Sequence, residues 1–573
     1  MVVGGTERGG IDSVRVGERT VLSALRTDGG IGANIVVCPC SCRRELVGRA
    51  GTILESLLVA SGLPLVTVQW RRPPGAPRLW SLEVACTLLP DADRVAHMVG
   101  AAGVQALDEA HPEQVLDLVV NPRPAQLDVS EGDEGGLSVG MRFASTVPVT
   151  LLISVGKLGG RPTVATAATH LPAHERRCAT ASGREGPGTL LTDTGVKEID
   201  DGTAWATLRL EGALRRLELT PPGAPSPASG SDLFWSGLGA MAIGDGAGCR
   251  RVLPLLLSDG RTRWPDGGDA PERALHALLA GGTALMTGEP GAALDVSEAL
   301  VGGTLTTIRQ SATHADWALW KMALTWLSDA LLHAAPEALI EELKQEAQLG
   351  PGSAGSVALP MAGGAKTRTP GPADLLHLLI GTDTDARSVG EVEAGPPALE
   401  AWALLRRGDA EEGYTGWRRA LSEGLAGGPS GRGSWDPAGE ATRGAPQTGQ
   451  LLACLGFGLL GLSPDAPSGR IRIAPSLPAH LSAFTARKIR LGHSLIDMEY
   501  RRERDRHRYE LSPTEGRVPP TVIFAPSIAG DVPRQVFVDG QEVELDRIRV
   551  GARWRLHVQL PLDGVRTIEV EGR

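Results

Sequence analysis

The sequence predicts a multi-domain α+β protein with an N-terminal β-sandwich, a central helical domain and a small C-terminal β-domain. The main evidence is the spacing of apolar residues, which has a period of two before about residue 220, becomes helical, and returns to two after Leu462. A chain of 573 residues is also several times the usual length of one domain. We therefore expect a sandwich at 1–220, a linker at 221–232, a helical domain at 233–462 and a β-domain at 463–573.

The sandwich is predicted because apolar and polar residues alternate between frequent turns. Residues 79–86 have one apolar face, and residues 205–210 alternate in a similar way; the apolar face of the first segment carries Trp80, Leu82, Val84 and Cys86. Turns rich in Gly and Asp, such as 130–136, interrupt these segments, which favours a large antiparallel sandwich. Residues 52–58 fit either a helix or a strand.

The helical domain follows a segment rich in Pro, Ser and Gly at 221–230, which can neither extend a helix nor complete a central strand. One apolar stripe at helical spacing consists of Trp317, Trp320, Leu324, Leu327 and Leu331. Further helices are predicted at 270–281, 292–302, 336–350, 372–380, 397–407, 410–425 and 447–460. Short connections rich in Gly and Pro favour stacked antiparallel helix pairs.

The C-terminal β-domain is predicted from alternation and from one turn signal. Ile471 and Ile473 share a face, and Asp539-Gly540 separates two short apolar runs, as in a tight hairpin. A later strand is expected to place four apolar residues on one face: Trp554, Leu556, Val558 and Leu560.

The junction between the helical and terminal β segments has a more specific pattern. Residues 449–478 read GQLLACLGFGLLGLSPDAPSGRIRIAPSLP, and residues 488–492 read KIRLG. The Pro-Asp-Ala-Pro turn stops a helix and the Arg/Ile alternation starts a strand, so the pattern indicates a domain junction rather than an active site. The segment 430–500 resembles the end of the barrel in six-hairpin glycosidases and glycoside phosphorylases, a group that includes glycogen-debranching-type enzymes, rhamnosidases and maltose phosphorylases.

This resemblance implies a central (α/α)6-barrel-like domain and activity on glycosidic bonds. A complete barrel has twelve helices, whereas roughly eight are recognisable between Leu233 and Leu462, so we expect an incomplete barrel or one with long loops in place of helices. The leading hypothesis is an inverting glycoside hydrolase or phosphorylase that acts on an oligosaccharide or polysaccharide. The alternative is a catalytically degenerate member of the group that serves as a carbohydrate-binding or assembly subunit.

Bulk properties argue against several other classes of protein. The formal net charge is -10 and no long basic block occurs, so nucleic acid is not an expected partner. The N-terminus does not resemble a signal peptide and no apolar stretch is long enough to span a membrane, so we expect a cytoplasmic protein. No phosphate-binding or dinucleotide-binding fingerprint is present, so no cofactor is expected. The group Cys38, Cys40 and Cys42 lacks a nearby His to complete a zinc site, and no metal is expected.

The first candidate site is a Gly-rich loop in which carboxylates, guanidinium groups and an indole occur together. Sugar sites are often built this way, because Trp stacks on the sugar ring while charged groups bind hydroxyls. The predicted substrate-binding residues of this loop are Asp259, Arg261, Trp264 and Asp266. The alternative is a structural loop in which Asp269 caps the following helix.

The predicted catalytic carboxylates come from two other places. Glycoside cleavage by inversion uses a proton donor and a second carboxylate that activates water, roughly 6.5–9.5 Å apart. The Asp316-Trp317 pair resembles one near the sites of some six-hairpin enzymes, which makes Asp316 the candidate acid, although it also fits a helix N-cap in front of a core Trp317. The resemblance also implies that the Gly-rich segment before the last helix lies at the barrel mouth. The candidate second carboxylate is therefore Asp436 or Glu440, with Trp435 as a substrate-binding residue, although Asp-Pro also forms ordinary turns.

Overall fold

The computed structural model describes most of the chain, and the statements below concern the residues that it describes. These are 2–6, 10–16, 19–28, 31–38, 41–48, 51–59, 65–73, 75, 79–132, 136–157, 189–218, 230–256, 270–301, 305, 314–349, 396–425, 445–504, 506–516, 519–529, 533, 535–544, 547–550 and 553–571. The chain divides into two compact units, Met1–Gly186 and Pro187–Arg573.

The first unit consists of antiparallel strands in two sheets. Its strands are β1 Val2–Thr6, β2 Gly10–Val16, β3 Arg19–Thr27, β4 Ile31–Cys38, β5 Ser41–Gly48, β6 Gly51–Val59, β7 Leu65–Arg71, β8 Trp80–Leu88, β9 Val95–Gly100, β10 Gly103–Asp108, β11 Gln114–Asn121, β12 Gln126–Glu131, β13 Leu137–Ser145 and β14 Val149–Lys157. One sheet has the order β1-β2-β3-β8-β13-β12, and the other has the order β4-β5-β6-β7-β14-β11-β10-β9. Residues 52–58, for which the sequence allowed a helix or a strand, lie in strand β6.

A single hydrophobic core joins the two sheets of the first unit, which confirms the predicted N-terminal β region. The apolar face of β8 is buried as the alternation predicts, and Leu82 pairs directly with Phe143 of β13. Val66, Val68 and Trp70 of the other sheet belong to the same core. Two sheets that bury their inner faces against each other form a sandwich.

The helices among the described residues lie in the second unit. They are α1 Lys197–Glu218, α2 Gly230–Ala242, α3 Gly246–Leu256, α4 Ala270–Thr287, α5 Gly291–Val301, α6 His314–Leu331, α7 Glu337–Gln348, α8 Pro397–Arg407, α9 Ala410–Leu425 and α10 Ala445–Ala453, followed by a π-helix at Cys454–Leu459. The predicted stripe on α6 is buried throughout, from Trp317 to Leu331. The predicted helix at 372–380 lies outside the described residues. The predicted barrel stays a prediction.

One segment predicted as a strand is helical. Residues 205–210 lie inside α1, which belongs to the second unit. Ile199, Ala206, Leu210 and Leu214 are buried along this helix, at successive spacings of seven, four and four residues. The prediction is wrong because a six-residue window is too short to distinguish a period of two from a helical period.

The C-terminal part of the second unit is a β region, as predicted. Its strands are β15 Leu191–Asp193, β16 Ser463–Asp465, β17 Arg470–Ile473, β18 Ala483–Leu491, β19 Ser494–Glu503, β20 Arg506–Glu515, β21 Thr521–Phe524, β22 Ser527–Ala529, β23 Gln535–Val538, β24 Gln541–Glu542, β25 Arg547–Val550, β26 Arg553–Leu556, β27 Val558–Pro561 and β28 Arg566–Glu571. They form sheets with the orders β15-β18-β19-β20-β28-β23-β24, β16-β17-β21-β27 and β22-β26-β25.

Two local predictions for this region have different outcomes. Asp539 and Gly540 both have positive φ, 52° and 78°, as the predicted tight hairpin between β23 and β24 requires. The single strand predicted around Trp554 is instead two strands, β26 and β27, in different sheets. Leu556, Val558 and Leu560 are buried, whereas Trp554 is only half-buried.

Helices and strands of the second unit share one continuous hydrophobic core. Backbone hydrogen bonds also join them: the N–H groups of Ala466 and Gly492 donate to the carbonyl oxygens of Leu285 and Met286 at the end of α4, both at 2.7 Å. The division at 462/463 into separate domains stays a prediction. No described helix is both long enough and apolar enough to cross a membrane.

Candidate functional site

Most of the predicted site residues lie outside the described part of the chain. This applies to Asp259, Arg261, Trp264, Asp266, Trp435, Asp436 and Glu440. The backbone of Asp316 is described and is the third residue of α6, so Asp316 lies within the first helical turn rather than at the N-cap. Trp317 is buried, in agreement with its predicted place in the core. The roles of these residues therefore stay predictions.

A different group of residues surrounds a cavity of about 510 Å³ inside the second unit. Five helical segments contribute to its wall, namely α2, α4, α6, α8 and the π-helix, and strands β16, β17, β21 and β26 contribute further residues. Cavities of this size are typical of sites for small molecules. This cavity is the candidate functional site.

Aromatic rings form one part of the cavity wall. The rings of Trp402 and Phe457 stack with centroids 5.9 Å apart and an interplanar angle of 24°. Trp402 is fully buried, whereas Phe457 and Trp326 are half-buried and so present part of their surface to the cavity. Half-buried rings offer an apolar face to a ligand, and the fully buried Trp402 supports the ring of Phe457 from behind.

The local backbone explains how these rings come close together. Phe457 and Gly458 lie in the π-helix, a rare conformation that is often found at functional sites. A Cβ atom at Gly458 would approach the Trp402 ring to 3.0 Å, so glycine permits the close packing. Gly461 follows with φ of 58°, and a Cβ atom there would overlap the carbonyl oxygen of Ala474.

Two carboxylates line the cavity, and their environments differ. Asp465 accepts hydrogen bonds at 3.3 Å from the Arg470 guanidinium and from the Ser468 backbone N–H. Partial burial raises the pKa of Asp329, and the charge of Asp465 raises it further. Lys344 and Arg470 act in the opposite direction. A carboxyl with a raised pKa beside an ion-paired carboxylate is a usual arrangement for acid and base groups.

Arginines are the most numerous charged residues in the described part of the cavity wall. Arg470 and Arg472 lie on the same side of β17, because Ile471 and Ile473 point into the core on the other side. The lining also includes Arg406 of α8 and Arg555 of β26. Among the described lining residues, four are arginines and two are aspartates.

Trp402 and Ser476 each have a buried polar atom at the cavity without a hydrogen-bond partner among the described residues. They are Nε1 of Trp402 and Oγ of Ser476. Their side chains are buried, at 0% and 4% exposed. Leaving such groups without a partner costs about 1–3 kcal/mol each. Two residues of the cavity wall therefore carry buried polar groups that the described residues leave without a hydrogen-bond partner.

Sequence reasoning missed this site for identifiable reasons. Pro464, Asp465, Arg470 and Arg472 belong to the junction pattern, which predicts a turn and a strand and so explains these residues without a ligand. Thr325 and Asp329 lie four residues apart on one face of α6, so they are neighbours on the helix surface. On that helix, the two polar residues next to Trp326 were the sequence feature that could have indicated a site.

The described residues contain no group of three or more His, Cys, Asp or Glu side chains that could hold a metal ion. Cys38 and Cys42 lie on separate strands of the β4–β5 hairpin.

The chain is similar to several solved glycoside hydrolases at low identity. One is a bacterial glucoamylase in complex with acarbose, with a TM-score of 0.45 and 11% identity over 78% of this chain and 90% of the glucoamylase. Another is an α-L-rhamnosidase from Dictyoglumus thermophilum, with a TM-score of 0.38 and 10% identity over 90% of this chain and 65% of the rhamnosidase. A family 92 glycosyl hydrolase gives a TM-score of 0.37 and 13% identity, over 81% of this chain and 82% of the hydrolase.

No protein-family model matches the chain, and no curated protein matches it. TM-scores below 0.5 at such identities assign neither the fold nor the activity of this chain.

Proposed function

We propose that this chain is a carbohydrate-active protein and that it binds an oligosaccharide in the cavity of its second unit. The observation that carries the proposal is the combination of half-buried aromatic faces with charged and hydroxyl groups around one space of about 510 Å³. Sugar rings have apolar faces that stack on aromatic side chains, and their hydroxyl groups exchange hydrogen bonds with charged and polar groups. Trp326 and Phe457 supply the first kind of surface, and Asp329 and Ser476 supply the second.

The binding experiment uses the full chain and isothermal titration calorimetry against a panel of oligosaccharides. Trp326→Ala is expected to weaken binding about tenfold or more, because alanine substitution removes a stacking surface. Trp205→Ala is the matched control, since Trp205 is also half-buried but lies on α1, outside the cavity lining. Hydrogen exchange of α6 and α8 checks that the variants keep their fold. Wild-type affinity in a folded Trp326→Ala variant would remove the cavity as the binding site.

Cleavage of a glycosidic bond is the second function that we propose, and it follows the hypothesis of an inverting hydrolase or phosphorylase. Asp329 is the candidate proton donor within the cavity, since it lines the same space as Asp465 and holds its proton to higher pH than an ordinary aspartate. The carboxylates Asp316, Asp436 and Glu440 remain the competing candidates from the sequence.

The turnover experiment compares Asp329→Asn and Asp436→Asn with wild type on the same panel, with and without phosphate. Loss of a general acid is expected to lower kcat about 10²-fold or more while binding is retained. A defect confined to Asp329→Asn supports the cavity as the catalytic site, and a defect confined to Asp436→Asn assigns catalysis to the segment that precedes α10 in the sequence. Binding without turnover of any substrate by wild type would favour the alternative, a degenerate carbohydrate-binding or assembly subunit.

A further inference from the structure

We infer that the C-terminal β region binds a small monatomic anion of the chloride type in a second, much smaller cavity. This cavity has a volume of about 30 Å³ and lies among residues 477–479, the β19–β20 hairpin, β22 and β26 of the second unit. Its described lining residues are all different from those of the cavity of about 510 Å³. The inference therefore does not depend on the proposed saccharide binding.

Arg553 of β26 lines the small cavity and has a buried guanidinium group without a paired carboxylate. The residue is only 5% exposed. Its Nε donates to Oγ of Ser527 at 3.1 Å, and its Nη2 donates to the carbonyl oxygens of Leu477 at 2.6 Å and of Ser527 at 2.7 Å. All three acceptors are neutral, and Nη1 has no partner among the described residues. A buried charge without a counter-charge is unfavourable, and a bound anion would supply that counter-charge.

Glu411 at the start of α9 is close enough to act on the charge of Arg553, but it forms no ion pair with it. Its oxygens have other partners: the backbone N–H of Ala479 donates to Oε1, and Oε2 lies 3.0 Å from Nδ1 of His480. Burial lowers the pKa of Arg553, whereas Tyr509 and Glu411 act in the opposite direction. Arginine stays protonated at neutral pH, so its charge is only partly offset within the described protein.

A second guanidinium group, that of Arg502 on β19, lines the same cavity. Its Nη1 donates to the carbonyl oxygen of Ala479, and its Nε donates to that of Arg504 at 3.1 Å. These acceptors are also neutral, and Nη2 has no partner among the described residues. Two like charges around one small space repel each other, whereas an anion in that space attracts both.

The register of the β19–β20 hairpin explains why these polar groups come together. Tyr500 and Arg502 lie two residues apart on β19 and so share one face, and Tyr509 and His507 are their direct partners on β20. The hydroxyl of Tyr500 and Nδ1 of His507 are 3.0 Å apart. All four side chains line the cavity, opposite no described carboxylate among its lining residues. Hydroxyl and guanidinium groups are hydrogen-bond donors, which suits the wall to an anion.

The size of the cavity selects the class of anion. A space of about 30 Å³ holds one or two particles the size of a water molecule. A chloride or bromide ion fits this space, whereas a phosphate or sulfate group with four oxygen atoms is too large. Water is the alternative occupant, because it accepts hydrogen bonds from the same donors. Water is neutral, however, and leaves the charge of Arg553 without a counter-charge.

The test measures hydrogen exchange of β20, β22 and β26 in the full chain at constant ionic strength, while sodium chloride replaces sodium methanesulfonate. A ligand that binds only the closed state slows exchange by a factor of one plus its concentration over its Kd. Chloride at ten times its Kd should therefore slow these amides about tenfold. Bromide should act in the same way and sulfate should not, and β7 of the first unit serves as the internal reference. Exchange that is the same in all these anions would overturn the inference and indicate water as the occupant.

Two variants and one control assign the effect to the small cavity. Arg553→Gln should abolish the response to chloride, and Arg502→Gln should raise the chloride concentration at half-effect about tenfold, because each removes one positive charge and keeps a hydrogen-bond donor. Arg508→Gln should respond like wild type, since Arg508 is exposed on β20 and lies 3.6 Å from Glu569. If Arg553→Gln does not fold, Arg502→Gln decides alone. A wild-type chloride response in Arg502→Gln would contradict the site.

Discussion

Two buried tryptophans, one in each compact unit, differ in the hydrogen bonding of their indole N–H groups. Trp70 of the first unit and Trp402 of the second are both fully buried. The indole N–H of Trp70 donates to Oε2 of Glu55 at 2.8 Å, and Oε1 of the same carboxylate accepts from Nε of Arg44 at 2.6 Å. The indole N–H of Trp402 has no partner among the described residues and lies at the cavity.

The two sites differ in whether their buried polar atoms all have hydrogen-bond partners. The group Arg44, Glu55 and Trp70 lies on the adjacent strands β5, β6 and β7, so register alone brings its members together and both carboxylate oxygens have partners. The cavity collects its groups from elements far apart in the chain. A buried polar cluster whose atoms all have hydrogen-bond partners stabilises a unique packing. A cluster in which a donor lacks a partner can instead take part in ligand binding.

The largest expected effect comes from breaking the saturated group. Glu55→Leu leaves the Arg44 guanidinium buried without its carboxylate, which should lower the free energy of unfolding of the first unit by about 3–5 kcal/mol. Hydrogen exchange of β5, β6 and β7 in the full chain measures this loss. The control is Glu83→Leu, because the Glu83–Arg142 pair is exposed and should contribute no more than about 1 kcal/mol. Equal protection in both variants would contradict the prediction.

The matched substitutions Trp70→Phe and Trp402→Phe test the comparison directly. Each removes an indole N–H and a similar amount of ring surface, but only Trp70→Phe takes a hydrogen bond from a buried carboxylate. We expect Trp70→Phe to be more destabilising by about 1–3 kcal/mol. Local hydrogen exchange of β7 and of α8 measures the loss of stability that each substitution causes. If the cost at α8 equals or exceeds that at β7, the Trp402 N–H has a protein partner and the comparison fails.

The smallest expected effect is a change in pH dependence. The pKa of Asp329 is raised above the ordinary aspartate value of 3.8, so between that value and the folded-state pKa the unfolded chain loses its proton first. Asp329 therefore lowers stability as pH rises through this window, and the loss remains at higher pH. Asp329→Asn should flatten the dependence of the melting temperature on pH above about pH 4. The exposed Asp295 on α5 provides the control, Asp295→Asn. Parallel curves for wild type and Asp329→Asn would refute the assignment.

Local patterns predicted the elements well where they extended over several turns or strand residues. The stripe from Trp317 to Leu331 gave α6, and the alternation after Trp80 gave β8, because each pattern repeats its burial period several times. The six residues 205–210 were too few, and only the burial of Ile199 to Leu214 on one helix face reveals their period. Likewise, the sequence around His557 does not show that β26 and β27 pair in different sheets.

The sequence by itself determined the α+β class, the order of β, helical and β regions, most element positions and the tight turn at Asp539-Gly540. These properties depend on side chains within a few residues of one another. Only the tertiary structure decided that Asp329, Trp402, Arg472 and Arg555 surround one cavity. The physical reason is that each of these residues has an ordinary local explanation on its own helix or strand, and their shared environment arises from packing between elements that are distant in the chain.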